Sequence, residues 1–96
     1  MRLMSTEELR SLEVINLCGG EILGFPCELE FDISCAKIIS FTVTACERHF
    51  SLFSEREEYV IPWCKIECIG EDAILVKLPE NELSSCRRGK CGKKNR

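Results

Sequence analysis

The sequence predicts a small all-β fold, a barrel of five or six antiparallel strands with a short N-terminal helix. Three observations lead to this fold class. Segments rich in β-branched and aromatic residues recur about every ten residues, with Gly, Pro and Asp between them. Apolar and acidic residues alternate over residues 28–33, which indicates a strand with one buried face. Closure into a barrel is the arrangement of so few strands that leaves no exposed sheet edge.

The first element is a short helix that begins after Ser5. Ser5, followed three residues later by Glu8, matches the capping box, in which each side chain bonds the backbone N–H of the other residue. We expect this helix to end near Leu12 and to close one end of the fold.

Six strand segments follow the helix. Gly19-Gly20 predicts a tight hairpin turn, and Gly24 and Pro26 predict a bend inside the second strand. A single 3₁₀ turn is expected at residues 62–64. The segments are, in chain order, residues 13–17, 21–31, 38–44, 57–61, 64–69 and 73–78.

The apolar positions of these segments predict the core. In the second strand the acidic side chains at 28, 30 and 32 point one way, and the apolar side chains between them point to the interior. The predicted core residues are Val14, Leu29, Phe31, Ile38, Val43, Val60, Ile66, Ile69, Ile74 and Val76.

Charge divides the chain into an acidic body and a basic end. Residues 1–85 hold seven Lys or Arg and 16 Asp or Glu, a net charge of −9, whereas the last eleven residues carry +6. An acidic body argues against a nucleic-acid surface on the fold, because binding to phosphates needs clustered cations. We therefore expect one folded domain over residues 1–79 and a polar, basic, flexible tail over residues 80–96, which could touch RNA, DNA or an acidic protein.

The chain contains eight cysteines. No export signal is visible at the N-terminus, so we expect a cytoplasmic protein whose cysteines are free thiols that behave as small hydrophobes. Two alternatives remain open, a redox-sensitive disulfide between Cys86 and Cys91 and a zinc site. The four candidate zinc ligands are Cys64, Cys68, Cys86 and Cys91. The cationic residues around Cys86 and Cys91 are expected to lower their thiol pKa.

Several motifs resemble the PRC-barrel domain, and most closely its YlmC/YmxH family. The resemblance covers about residues 1–78, whereas the many cysteines and the basic tail depart from the family pattern. The matching segments are Arg2-Leu3, Val14 to Leu17 with its Gly-Gly turn, Gly24, Leu29 to Asp32, Phe50 to Ser54, Glu58 to Trp63, Ile66, Ile69 to Asp72 and Ile74 to Val76.

The resemblance implies a small β-barrel that serves as a docking module. It also implies a stand-alone protein of spore-forming Firmicutes that is associated with sporulation. Catalysis is not expected, because the only histidine is His49 and the chain has no phosphate-binding glycine-rich loop and no nucleophile elbow. We expect no cofactor.

The candidate contact residues are large and apolar. Phe50, Leu52 and Phe53 lie in the connection before the fourth strand, where they either plug the barrel or form a contact patch. Trp63 is a fourth candidate, with half-buried packing as the alternative. The leading prediction is a non-catalytic protein-interaction module that binds a protein partner or a second copy and does not insert into membranes. The alternatives are an RNA- or ribosome-associated barrel, by analogy with the ribosome maturation factor RimM, and a zinc- or redox-responsive adaptor.

Overall fold

The computed structural model of the protein describes residues 1–45 and 57–90. These described residues form two helices, seven strands and one 3₁₀ turn. The elements are α1 (Thr6–Leu9), β1 (Glu13–Asn16), β2 (Ile22–Asp32), β3 (Lys37–Thr44), β4 (Glu57–Pro62), the 3₁₀ turn (Trp63–Lys65), β5 (Ile66–Ile69), β6 (Ala73–Val76), α2 (Glu80–Cys86) and β7 (Arg87–Lys90). Neither α1 nor α2 is long and apolar enough to cross a membrane.

The strands form one mixed sheet in the order β5-β6-β1-β2-β3-β4-β7. This confirms the small all-β fold but differs from the expected five or six antiparallel strands, because there are seven and β1 pairs with β6 in parallel. The parallel pair is possible because β2 to β5 lie between β1 and β6 in the chain and provide the long connection that parallel strands need. Among the described residues, no strand pairing joins β5 to β7 at the two ends of the order.

Strand β2 turns a corner and thereby belongs to two halves of the sheet. Its first residues pair with β1, and the rest of the strand, from Phe25 to Asp32, pairs with β3. The corner is at Gly24, whose φ of 135° is a conformation that suits glycine. A Cβ there would overlap the carbonyl oxygen of Thr44. The ladder slips again just after Pro26, so the bend predicted at Gly24 and Pro26 is confirmed.

The core lies between the two halves of the sheet. Of the predicted core, Val14, Val43, Ile74 and Val76 are fully buried, and Leu29, Ile66 and Ile69 are partly buried against the core. In the described part of the chain, the buried residues that form the hydrophobic core are Leu9, Leu12, Val14, Leu23, Phe41, Val43, Tyr59, Ile61, Ile74, Val76, Leu78 and Leu83.

The core prediction is wrong at Phe31 and Val60, and Ile38 is only half-buried and lies outside the core. Phe31 is 56% exposed because the β2–β3 hairpin extends past the core. In β4 the inward positions are Tyr59 and Ile61, and the predicted Val60 is only half-buried. Pairing fixes this choice, since Ile61 lies opposite the fully buried Phe41 on β3.

The segment after residue 79 differs from the expected flexible tail. Residues 80–90 form α2 and β7, and Leu83 of α2 is buried in the core. Strand β7 pairs with β4, and Arg88 donates from Nε and Nη2 to Oε1 of the buried Glu58, at 3.0 and 2.7 Å. The attraction between a basic segment and an acidic strand explains this order. Secondary structure therefore continues to Lys90 in the part of the chain that the structure describes, and residues 91–96 lie outside that part.

A buried amide stabilises the parallel pair of β1 and β6. The side chain of Asn16 is 1% exposed, and its Nδ2 donates to the carbonyl oxygen of Leu78 at 2.9 Å. Its Oδ1 accepts a hydrogen bond from the backbone N–H of Leu78, also at 2.9 Å. Asn16 thus joins the end of β1 to the chain that follows β6 and satisfies polar groups that water cannot reach.

We predict that Gly24→Ala lowers the free energy of unfolding by about 3 kcal/mol or more, because the new Cβ has no room and the backbone conformation is strained. The matched control is Gly20→Ala, at φ 79° but with open space around the new Cβ, which should cost about 1 kcal/mol. Urea unfolding of the two variants measures the difference. Equal losses of the free energy of unfolding in the two variants would show that the chain does not pack closely against Gly24.

Candidate docking site

The N-terminal segment is positioned by the predicted capping box. Ser5 N–H donates to Oε1 of Glu8 at 2.8 Å, and Glu8 N–H donates to Oγ of Ser5 at 3.1 Å. The helix ends at Leu9, earlier than the predicted end near Leu12, although the chain keeps turning and buries both leucines. Because Leu9 and Leu12 anchor α1 on the core, the residues before Ser5 are held beside the β2–β3 hairpin.

An apolar groove of about 330 Å³ lies between this N-terminal segment and the hairpin. We refer to it as the N-terminal groove. Four separate parts of the chain contribute apolar side chains to its walls, namely the N-terminus, β2, β3 and the region around β5. These side chains are Leu3, Met4, Leu29, Ile38, Trp63 and Ile69.

The groove continues along β2 into a second section of about 270 Å³. The two sections share Thr6, Leu9 and Leu29 as lining residues, and the second section reaches Phe31. Leu3 is 83% exposed and Phe31 is 56% exposed. The result is a continuous apolar surface that nothing among the described residues covers.

Trp63, which was predicted as a contact residue, lies in this groove. It begins the predicted 3₁₀ turn directly after Pro62 and is half-buried. Its ring packs edge-to-face on Phe41, with 5.7 Å between ring centroids and 83° between ring planes. The core thus holds one part of the indole, while another part faces the groove. The other predicted contact residues, Phe50, Leu52 and Phe53, lie outside the described residues.

Sequence reasoning missed the N-terminal contribution to the groove. Leu3 and Met4 precede the helix cap. Apolar residues at such positions do not predict a contact unless the position of the hairpin beside them is known. One local signal was present, because Met4 and Leu9 occupy the two positions of a hydrophobic staple around the Ser5 cap. Leu29 packs partly against the core, as predicted, and also lines the groove, whereas Ile38, which was predicted as core, is a half-buried wall of the groove.

The cysteines of the described residues are free thiols. Cys64 and Cys68 are exposed, Cys86 is half-buried, and Cys91 lies outside the described residues. Residues 1–45 and 57–90 contain no group of three or more His, Cys, Asp or Glu side chains that could hold a metal ion.

The expected lowering of the Cys86 thiol pKa is wrong. Burial raises the pKa of Cys86, and the nearby carboxylate of Glu82 raises it further, while Lys65 acts in the opposite direction. Lys65 forms a 2.7 Å ion pair with Glu82, which places a negative charge close to the thiol. A smaller fraction of Cys86 is therefore ionised to the thiolate than the basic sequence around it suggests. This makes Cys86 a weaker metal ligand and a weaker nucleophile.

We predict slow alkylation of Cys86 by iodoacetamide at pH 8, compared with the exposed Cys64 and Cys68, because the reactive species is the thiolate. Mass spectrometry of the labelled peptides gives the three rates. As the folded-state pKa of Cys86 is raised, its labelling should increase as the pH rises above the ordinary value of 9.0. The neutral thiol also stabilises the fold below that pH, and this contribution is lost as the pH rises through the raised pKa. Labelling of Cys86 as fast as that of Cys64 at pH 8 would contradict this interpretation.

Comparison with known proteins gives one clear relationship. No protein-family model matches the chain. Over 78 residues the chain is 33% identical to "Probable sporulation protein YlmC" of Bacillus subtilis (strain 168), and the match covers 81% of this chain and 96% of the relative. This identity over nearly the whole relative supports the resemblance that the sequence motifs indicated. The chain belongs to the YlmC family.

Proposed function

We propose that this protein is a non-catalytic docking module that binds a protein partner in the N-terminal groove. The observation that carries the proposal is the open apolar surface that runs from Leu3 past Trp63 to Phe31. Contiguous apolar surface of this kind on a small domain marks an interaction site, because leaving it in water is unfavourable.

The lining favours a protein partner over a small polar substrate. The polar groups around the main section come from Arg2, Ser5 and Thr6, and Ser5 is already engaged in the capping box. Sites for small polar molecules need several converging polar groups to fix the orientation of the ligand. Shallow apolar grooves with an aromatic floor suit the apolar side chains of another protein.

We further propose that the fold is a PRC-type barrel whose open side is covered by α2. Leu83 buries its side chain in the core, and Glu82 pairs with Lys65 of the 3₁₀ turn at 2.7 Å. The helix therefore contacts the chain that precedes β5 while β7, directly after it, pairs with β4. In this proposal a helix joins the two ends of the curved sheet where strand pairing does not.

The setting we propose is sporulation in the cytoplasm. The B. subtilis relative is named a probable sporulation protein, and this chain matches 96% of its length. The cytoplasmic location is supported by the free thiols of the described cysteines, because disulfides are rare in the cytosol.

Binding of RNA through the basic tail is a weaker candidate function. Two basic residues of the tail contact other parts of the fold. Arg88 donates a hydrogen bond to Glu58, and the guanidinium of Arg87 lies 5.8 Å from the centroid of the Tyr59 ring. A cation that already pairs with a buried carboxylate is less available to a phosphate. We therefore place the docking function in the groove and not in the tail.

We predict that Leu3→Glu and Phe31→Glu each weaken partner binding by about tenfold or more, because each places a carboxylate in the apolar groove. The matched controls are Leu17→Glu and Ile22→Glu. Both change an exposed apolar residue, 50% and 60% exposed, outside the groove. A partner captured by the wild-type protein from sporulating cells would first be identified and purified, and its affinity for all five proteins would then be measured.

The same set of variants also tests for self-association. Sedimentation of the purified protein shows whether the partner is a second copy, in which case the groove variants should be monomeric and the controls should not. Equal binding by the groove and control variants would contradict a docking role for the groove.

A further inference from the structure

The cations of the N-terminal half are concentrated at the groove. Residues 1–45 contain seven acidic residues and three basic ones, which are Arg2, Arg10 and Lys37. Arg2 lines the main section of the N-terminal groove, and Arg10 lines its second section. Two of the three basic residues in this acidic half of the chain thus lie beside the same apolar surface.

Within residues 1–45 and 57–90, these two guanidinium groups have no acidic partner. Neither Arg2 nor Arg10 forms a side-chain ion pair with another described residue, in contrast to Arg88 and Lys65, which pair with Glu58 and Glu82. The one acidic residue that lines either section is Glu28, in the second section, and the main section has none. The groove therefore combines an apolar floor with unpaired positive charge on both of its sections.

We propose that the groove recognises an apolar protein segment that carries acidic residues at both ends. This inference rests on the proposed docking function and names the chemistry of the partner. The apolar side chains of the segment would contact Leu29, Ile38 and Trp63, and its carboxylates would lie near Arg2 and Arg10.

Charge complementarity favours this partner over the alternatives. Apart from the basic C-terminal segment, the protein carries −9 over residues 1–85, and the two arginines make the groove the apolar part of this acidic body that attracts an acidic segment. A basic segment would be attracted to the acidic surface in general but repelled at the groove itself. A second copy carries the same net negative charge over residues 1–85, so the two bodies repel each other.

The test is a selection of random peptides displayed on phage against the full-length protein, followed by titration of the enriched peptides. Trp63 is the only tryptophan in the chain, so its fluorescence reports occupation of the groove when the peptides lack tryptophan. We expect enriched peptides with an apolar centre and Asp or Glu on both sides. Their binding should weaken as salt is added, because the exposed charges are screened.

Charge reversal isolates the role of the two arginines. The Arg2→Glu/Arg10→Glu variant should bind the acidic peptides about tenfold more weakly at low salt. The control, Lys37→Glu/Lys77→Glu, changes the net charge equally at positions that do not line the groove, and it should bind as the wild type does. Circular dichroism and thermal unfolding verify that both variants are folded.

The outcomes separate the two proposals. Apolar peptides without an acidic bias, which bind equally well to the arginine variant and shift the Trp63 fluorescence, would overturn the charge inference and leave the docking function intact. Enrichment of basic peptides would also overturn the charge inference. The absence of any peptide that binds at the groove would overturn both.

Discussion

The rest of the structure depends on the corner at Gly24. The left-handed backbone there and the missing Cβ allow β2 to pass directly against Thr44, so that one strand serves both β1 and β3. The two halves of the sheet can then face each other across Phe41 and Ile74. Beyond the corner, β2 and β3 continue as a hairpin that extends past the core, and its inner face becomes one wall of the N-terminal groove. The groove is thus a direct product of the bend.

Charge organises the opposite side of the molecule. The acidic body and the basic C-terminal segment are complementary parts of one fold, because Arg88 neutralises the buried Glu58 and draws β7 onto β4. The hydrogen bond to Glu58 raises the pKa of Arg88, and the neighbouring carboxylates of Glu28 and Glu30 raise it further. Strand β7 also covers the edge of β4, which would otherwise be open to pairing with another chain. In the Lys65–Glu82 pair the carboxylate is more exposed than that of Glu58, so we assign this pair a smaller contribution.

Features set by neighbouring residues could be predicted from the sequence. The Ser5–Glu8 capping box, the turn at Gly20 and the 3₁₀ turn after Pro62 each depend on a few adjacent residues, and the structure contains all three. The bend at Gly24 was visible for the same reason. Features set by pairing partners could not be predicted in this way. Val60 lies between two other apolar residues, and only its pairing with β3 decides which of them faces inward.

The C-terminal segment and the groove illustrate the same limit. The sequence Arg-Arg-Gly-Lys has no strand pattern of its own, and β7 exists because β4 offers it an edge and a carboxylate. The groove is assembled from Leu3, Leu29 and Trp63, which are far apart in sequence and meet only in the fold. Of the candidate contact residues, Trp63 was identifiable as a lone aromatic residue. The contribution of Leu3 required the structure.

Amide hydrogen exchange of the full-length protein, with and without its purified partner, tests the docking site most directly. If the partner binds in the N-terminal groove, the amides of residues 2–10, 29–31 and 63–69 should exchange more slowly in the complex, and those of β7 should be unchanged. Slower exchange confined to β7 and β4, with no change around Leu3 and Trp63, would contradict a docking site in the groove.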